Sequence, residues 1–178
     1  MEAPPLPVLT LQDWLSKPLP ADAMVVVLDG VEDPHNFGAI VRTAAACGVL
    51  AIIFGKDRAA PLSSAAVKAA AGAMEYIDLV QVTNISRALE ALKKAEFWVA
   101  AFAEDAEKTL WEADLRGRIA LVLGSEGQGI RRLVREHCDW RLRIPLPGPI
   151  TTLNVSVSAA IALAECLRQR IQGQPKKL

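Results

Sequence analysis

Cysteine, histidine and tyrosine are scarce in these 178 residues, with three, two and one of each. Cys47, Cys138 and Cys166 lie far apart and are odd in number, so they suit a reducing cytoplasm better than a disulfide framework. His35 and His137 are isolated, and no Cys/His group has the spacing of metal ligands, which argues against a zinc site or any other metal centre. Net charge is lacking too, because 20 Lys plus Arg balance 20 Asp plus Glu. That balance argues against indiscriminate binding to nucleic acid, which draws on a basic excess, but it leaves room for a local basic patch. No apolar run is long enough to span a bilayer; the longest, around Ala159–Leu163, is broken by Glu165 and followed by Arg168 and Arg170. The N-terminus has no basic stretch ahead of an apolar one, so it does not read as a signal peptide.

What remains is apolar material, 52% of the chain against 22% charged, enough for the core of one domain. Residues 1–22 hold five of the eleven prolines (Pro4, Pro5, Pro7, Pro18 and Pro20) and one short amphipathic piece at Leu9–Leu15. They read as a linker or arm outside the core, ahead of a domain over 23–173 and a basic tail at 174–178. From Met24 the pattern changes. Short β-branched runs at Met24–Leu28, Leu50–Phe54, Tyr76–Val82, Phe97–Phe102, Ile119–Leu123 and Arg141–Ile144 read as strands. Helical patterns fall between them, at Gly38–Cys47, Ser63–Gly72, Ile85–Ala95 and Ile130–His137, and a long one closes the chain at Asn154–Ile171. Alternation of this kind predicts an α/β fold, a mostly parallel sheet flanked by helices. Ligands of such sheets bind beyond the carboxyl ends of the strands, which directs attention to the loops leaving them.

Three of those loops could carry chemistry. The first runs from Asp29-Gly30 to Arg42. Asn36 there is a candidate helix cap, Gly38 permits a close approach of backbone or ligand, and Arg42 is a lone charge among Ile40, Val41 and three alanines. An arginine so placed either snorkels to solvent or grips a phosphate in a bidentate way. The second loop is Gly124-Ser125-Glu126-Gly127-Gln128-Gly129, between a strand and a helix. It lacks the Gly-Lys-Ser/Thr of a P-loop and the G-x-G-x-x-G of a dinucleotide site, and Glu126 would repel a pyrophosphate while suiting a cationic or hydroxyl-bearing ligand. The third, Ile144 to Val157, is stiffened by Pro145, Pro147 and Pro149, with Thr152 or Asn154 available to cap the long helix. Each has a plain reading as a cap, a turn or a rigid junction. Arginines also crowd two stretches, Arg131, Arg132, Arg135, Arg141 and Arg143, and Arg168 and Arg170 with Lys176 and Lys177, and a solvated helix face is the plain reading of each.

Taken together and in order, Asn36–Arg42 (NFGAIVR), Leu121–Ile130 (LVLGSEGQGI) and Ile144–Val157 (IPLPGPITTLNVSV) resemble the three signature motifs of the SpoU/TrmH branch of SPOUT RNA methyltransferases, over about Met24 to Arg170. The stretches Gly72–Glu75 and Arg132–Asp139 look closest to the group that methylates a guanosine ribose in 23S rRNA. The resemblance implies a C-terminal trefoil knot, a rare exception to unknotted topology. It implies S-adenosylmethionine as methyl donor, held by Gly124, Ile144 and Leu153, and catalytic surroundings at Asn36, Arg42, Glu126 and Asn154. Arg42 and Thr152 fall on substrate-binding positions, Thr152 standing where the family usually has serine. Also implied are RNA as substrate, a homodimer with its active site near the subunit interface, a cytoplasmic location and no membrane. Arg42 is left with two roles, general base or phosphate clamp. Relatives acting on this target usually carry a separate RNA-recognition domain first, whereas here the Pro-rich arm precedes Met24. The alternatives are a tRNA 2′-O-methyltransferase of the same family, a non-catalytic RNA-binding member, and a nucleotide-binding oxidoreductase, against which the missing G-x-G-x-x-G counts.

Overall fold

A computed structural model describes residues 6–56 and 62–173, so Pro4, Pro5 and the basic tail at 174–178, with Lys176 and Lys177, lie outside the described residues. Its strands are β1 (Val8–Leu9), β2 (Met24–Asp29), β3 (Ala51–Gly55), β4 (Asp78–Val82), β5 (Trp98–Phe102), β6 (Lys108–Thr109), β7 (Ile119–Gly124) and β8 (Trp140–Arg143). They form one eight-stranded sheet in the order β1-β4-β3-β2-β7-β5-β8-β6, with every neighbouring pair parallel. The helices are α1 (Leu11–Leu15), α2 (Pro34–Ala46), α3 (Ser64–Ala70), α4 (Ile85–Lys94), α5 (Arg132–Glu136) and α6 (Val155–Gln172).

A strand covered on both faces needs an unbroken apolar run, and β2 and β7 have one. The pleat sends successive side chains to opposite faces. Met24, Val26 and Leu28 therefore enter one core, with α2, α3 and α6. Val25 and Val27 enter the other, with α1, α4 and α5. The predicted alternation of strands and helices is what the structure contains, and the sheet is wholly parallel. Gly38 has a packing role: a Cβ there would lie 2.5 Å from both the Ala66 carbonyl oxygen and Ala69 Cβ, so it lets α2 and α3 touch backbone to side chain.

The N-terminal arm is a correction. Residues 6–22 are not outside the core. β1 pairs with β4, Val8 opposite Leu79. Thr10 caps α1 by accepting from the Asp13 amide at 3.1 Å. Trp14 is 1% exposed, its ring 6.2 Å from that of Phe97. Arg118 then donates to the carbonyls of Leu19 and Pro20, and Arg170 to that of Asp22, which fastens the remainder of the segment. Two-residue strands have no period to read, and the prolines masked the pattern.

Carboxyl ends of neighbouring strands come level at the middle of the sheet, with Asp29 of β2 opposite Gly124 of β7. The chain runs outward from β2 through β3 to β4 and then crosses to β5 on the far side of β7. This reversal opens a crevice above β2, β7 and β5, where ligands of open parallel sheets bind.

Candidate active site

All three loops open onto that crevice. Asp33, not Asn36, caps α2: one of its oxygens accepts from the His35 amide at 2.7 Å and the Asn36 amide at 3.0 Å, with Pro34 in the first turn. The helix thus begins earlier than its pattern indicated, and Asn36 sits inside the first turn with its side chain free for other work. Asn154 caps α6, accepting from the Ser156 amide at 2.9 Å, and Thr152 does not. Holding its oxygen on that amide turns the Asn154 amino group outward.

Those two asparagines meet Glu126. Asn36 Nδ2 donates to Glu126 Oε1 at 3.0 Å, and Asn154 Nδ2 donates to the same oxygen at 2.8 Å and to Asn36 Oδ1 at 3.0 Å. Three residues 28 to 118 positions apart in the chain therefore form one polar cluster. The carboxylate faces donors only and leaves its second oxygen available.

Glycines shape the loop that carries Glu126. Gly127 and Gly129 hold φ values of +86° and +65°, which favour glycine. The turn closes on itself, the Gly129 amide donating to the Ser125 carbonyl at 2.9 Å and the Ser125 amide to Gly129 at 3.2 Å. Gly124 lies so close to its far side that a Cβ would be 2.1 Å from the Gly129 carbonyl carbon.

The loop is anchored by a buried pair that the sequence did not disclose. Asp29, fully buried at its side chain, accepts from the Arg131 amide and Nε at 2.8 Å each, and Arg131 Nη2 lies 2.6 Å from the same carboxylate. Removing one partner of a buried pair typically costs about 3–5 kcal/mol, but the Arg131 side chain is 62% exposed, so less is at stake. Arg131→Ala is expected to lower stability by about 2 kcal/mol in urea denaturation; a loss below about 0.5 kcal/mol would show that the anchor is dispensable. The signal was an acidic residue ending an otherwise apolar strand.

A cleft of about 760 Å³ lies between β5, β7 and β8 and the loops that leave them. Gly124, Ile144, Leu153, Thr152, Glu126 and Asn154 all border it. Leu142, Phe102 and Leu123 supply apolar wall, and sequence reasoning did not select them. At the rim Arg135 grips Asp105 at 2.7 and 2.9 Å, and its guanidinium holds the Asp105 carboxyl below the usual carboxylate range. A second cleft of about 660 Å³ lies on the other side of the Glu126 loop, bordered by Asn36. Arg42 is the sequence-selected residue that borders neither of these two clefts: it stands exposed on α2, and its side chain makes no hydrogen bond or ion pair among the described residues.

The arginine clusters divide. Arg131 and Arg135 are spoken for, Arg168 pairs with the buried Glu165 at 2.7 Å, and Arg170 holds carbonyls. These are structural attachments, unlike the solvated faces expected from the sequence. Arg132 keeps the expected character, 84% exposed beside Glu136. Burial pushes the Cys138 and Cys166 thiols up to about 12, which disqualifies them as nucleophiles at neutral pH. No helix among the described residues is long and apolar enough to cross a membrane, and none of their His, Cys, Asp and Glu side chains form a group of three that could hold a metal.

A model of the SpoU rRNA methylase family matches residues 23–164. The 23S rRNA (guanosine-2′-O-)-methyltransferase RlmB of Xanthomonas campestris is 50% identical over 149 residues, covering 84% of this chain and 60% of that protein. The chain thus spans about 60% of the length of the curated relatives it matches. Among solved structures, an RNA 2′-O ribose methyltransferase superposes with a TM-score of 0.79 at 33% identity, over 88% of this chain and 60% of that one. The methyltransferase AviRb of Streptomyces viridochromogenes, solved with its cofactor AdoMet, gives 0.82 at 26% identity, over 88% of this chain and 61% of that one.

Proposed function

The chain belongs to the SpoU rRNA methylase family, and we propose on that premise that it transfers a methyl group from S-adenosylmethionine to the ribose 2′-hydroxyl of a guanosine in 23S rRNA. The observation that carries the reading is the convergence of Asn36, Glu126 and Asn154 on one hydrogen-bonded cluster at the mouth of the 760 Å³ cleft. That volume falls within the roughly 300–1,000 Å³ usual for small-molecule sites. Gly124 lets the far arm of the loop close against it, and the cleft is bordered by Glu104 and Glu126 as well as by the paired Arg135 and Asp105. Gly124, Ile144 and Leu153 would hold the cofactor, which supplies a methyl group activated by the sulfonium charge.

The 2′-oxygen would form its new bond to the methyl carbon as the carbon–sulfur bond of the sulfonium breaks and the neutral thioether leaves, the hydroxyl proton passing to water, so the chain's task is to align that oxygen and stabilise charge. Glu126, fixed by the amides of Asn36 and Asn154, offers its free oxygen to a hydroxyl, and Thr152 borders the same 760 Å³ cleft beside Leu153. Arg42 acts as a phosphate clamp: an exposed guanidinium matches phosphate in a bidentate way. We place the protein in the cytoplasm as a homodimer, in which Arg42 reaches a bound RNA near the subunit interface. The exposed Ile150 and Val157, flanking the Thr151–Val155 edge of the cleft, support a covered face there. We also assign a trefoil knot to the C-terminal segment. The strand order supports it, since β7 enters between β2 and β5, and α6 returns against α2.

Labelled methyl transfer to large-subunit rRNA, followed by mapping of the modified ribose, tests the reading. The expected product is a single 2′-O-methylguanosine. Cofactor binding with no transfer to any RNA would overturn it in favour of a non-catalytic RNA binder. Arg42→Lys is expected to lower kcat/KM by roughly tenfold or more, the worth of a lost charge-assisted bond; near-wild-type activity would remove Arg42 from the mechanism.

A further inference from the structure

Two clefts meet at the Asn36–Glu126–Asn154 cluster, and cofactor binding accounts for one of them. The second lies between the Asp29–Asp33 turn, Gly55, Ile85 and the far side of the Glu126 loop. Gly124, Ile144 and Leu153 border the first cleft and not the second. Yet Ser125, Glu126, Gln128, Gly129 and Val155 border both, so the loop is a common wall. We propose that the second cleft receives the target nucleoside turned out of its RNA strand, with the ribose at the cluster and the base inward, and that Glu32 reads the guanine edge. This rests on the methyltransferase reading above.

The argument is one of shape and chemistry. A donor in the first cleft and an acceptor in the second would meet at the cluster, since Asn154 borders the first, Asn36 the second and Glu126 both. Enzymes acting on a nucleotide commonly extrude it into a pocket that reads its Watson–Crick edge. The second cleft, about 660 Å³, has buried apolar walls in Val31, Ile85 and Val155, suited to the faces of a base.

Its polar groups are mostly committed. Asp29 is held by Arg131, Asp33 accepts two amides of α2, and Glu126 accepts both asparagines. The side chains of Glu32, Ser125 and Gln128 make no hydrogen bond among the described residues, and of these three Glu32, exposed at the rim, is the one carboxylate. Guanine alone of the four bases presents adjacent N–H donors at N1 and N2, which the two oxygens of one carboxylate can accept. Adenine and cytosine offer a ring acceptor there, and uracil a single donor between two acceptors.

The test compares methyl-transfer kinetics on an RNA fragment carrying guanosine or inosine at the mapped position, for the wild-type chain and Glu32→Ala. Inosine keeps N1–H and lacks the N2 amino group. The wild type is expected to prefer guanosine by about tenfold in kcat/KM, and Glu32→Ala to narrow that preference to about twofold, with calorimetric affinity for S-adenosylmethionine unchanged. Glu32→Gln, with one acceptor left, should narrow it less. A guanosine-to-inosine ratio equal in wild type and Glu32→Ala overturns the assignment while leaving the methyltransferase reading intact. Failure of the wild type to methylate any RNA would instead overturn that reading, and this inference with it.

Discussion

Gly124→Ala is expected to abolish measurable S-adenosylmethionine binding and to destabilise the fold by at least about 3 kcal/mol. A single methyl group has this effect because of what it meets. The added Cβ would stand 2.1 Å from the Gly129 carbonyl carbon, 2.4 Å from its oxygen and 2.3 Å from the Ile130 nitrogen. All three are backbone atoms, so no rotamer can relieve the overlap. The far arm of the loop has to move, and it is held by the Ser125–Gly129 bridge on one side and the Asp29–Arg131 pair on the other. Moving it displaces Glu126 from both asparagines. Calorimetry with the cofactor and urea denaturation check the two effects. Wild-type affinity in the variant would mean that the loop yields freely and that Gly124 does not shape the cleft. Gly127→Ala is a control of another kind, since it meets nothing within 4 Å and is strained only by its φ of +86°.

Trp14→Ala is expected to cost about 3–5 kcal/mol, the usual range for emptying a large aromatic from a packed interior. Trp14 is 1% exposed and sits with Val80, Leu89 and Phe97 in the core on the α4 side of the sheet. In a domain of this size the loss corresponds to a fall in Tm of roughly 10 °C. The measurement bears on the N-terminal segment as a whole, because an arm outside the core would leave the melting temperature within about 2 °C of wild type.

The parallel sheet was legible because β2 and β7 are unbroken apolar runs, a pattern that half-exposed strands do not give. The polar cluster was legible by its motifs: Asn36, Glu126 and Asn154 were each selectable as loop residues, and the fold brings them together. Their partners were less visible. Asp29 looked like a strand end, and nothing local reveals that Arg131, 102 positions later, returns to neutralise it. The capping role went to Asp33 because Pro34 fixes the start of the helix, whereas the apolar period of α2 becomes readable only from Phe37 onward. Arg42 shows the limit from the other direction. Its oddity in an apolar helix is plain in the sequence, and the fold turns it outward to solvent. The second cleft left no trace in any window, since its walls come from five separate segments and become concave only once assembled.

Both outer strands of the sheet, β1 and β6, are two residues long, one preceded by Pro7 and the other containing Lys108. Edge strands are where sheets recruit further strands, from other chains as readily as from their own. Eight parallel strands with long free margins would be a template for fibres. Here each margin ends in so short a ladder that almost nothing remains for another chain to extend. A copy that joined this one would therefore come in through helices and loops.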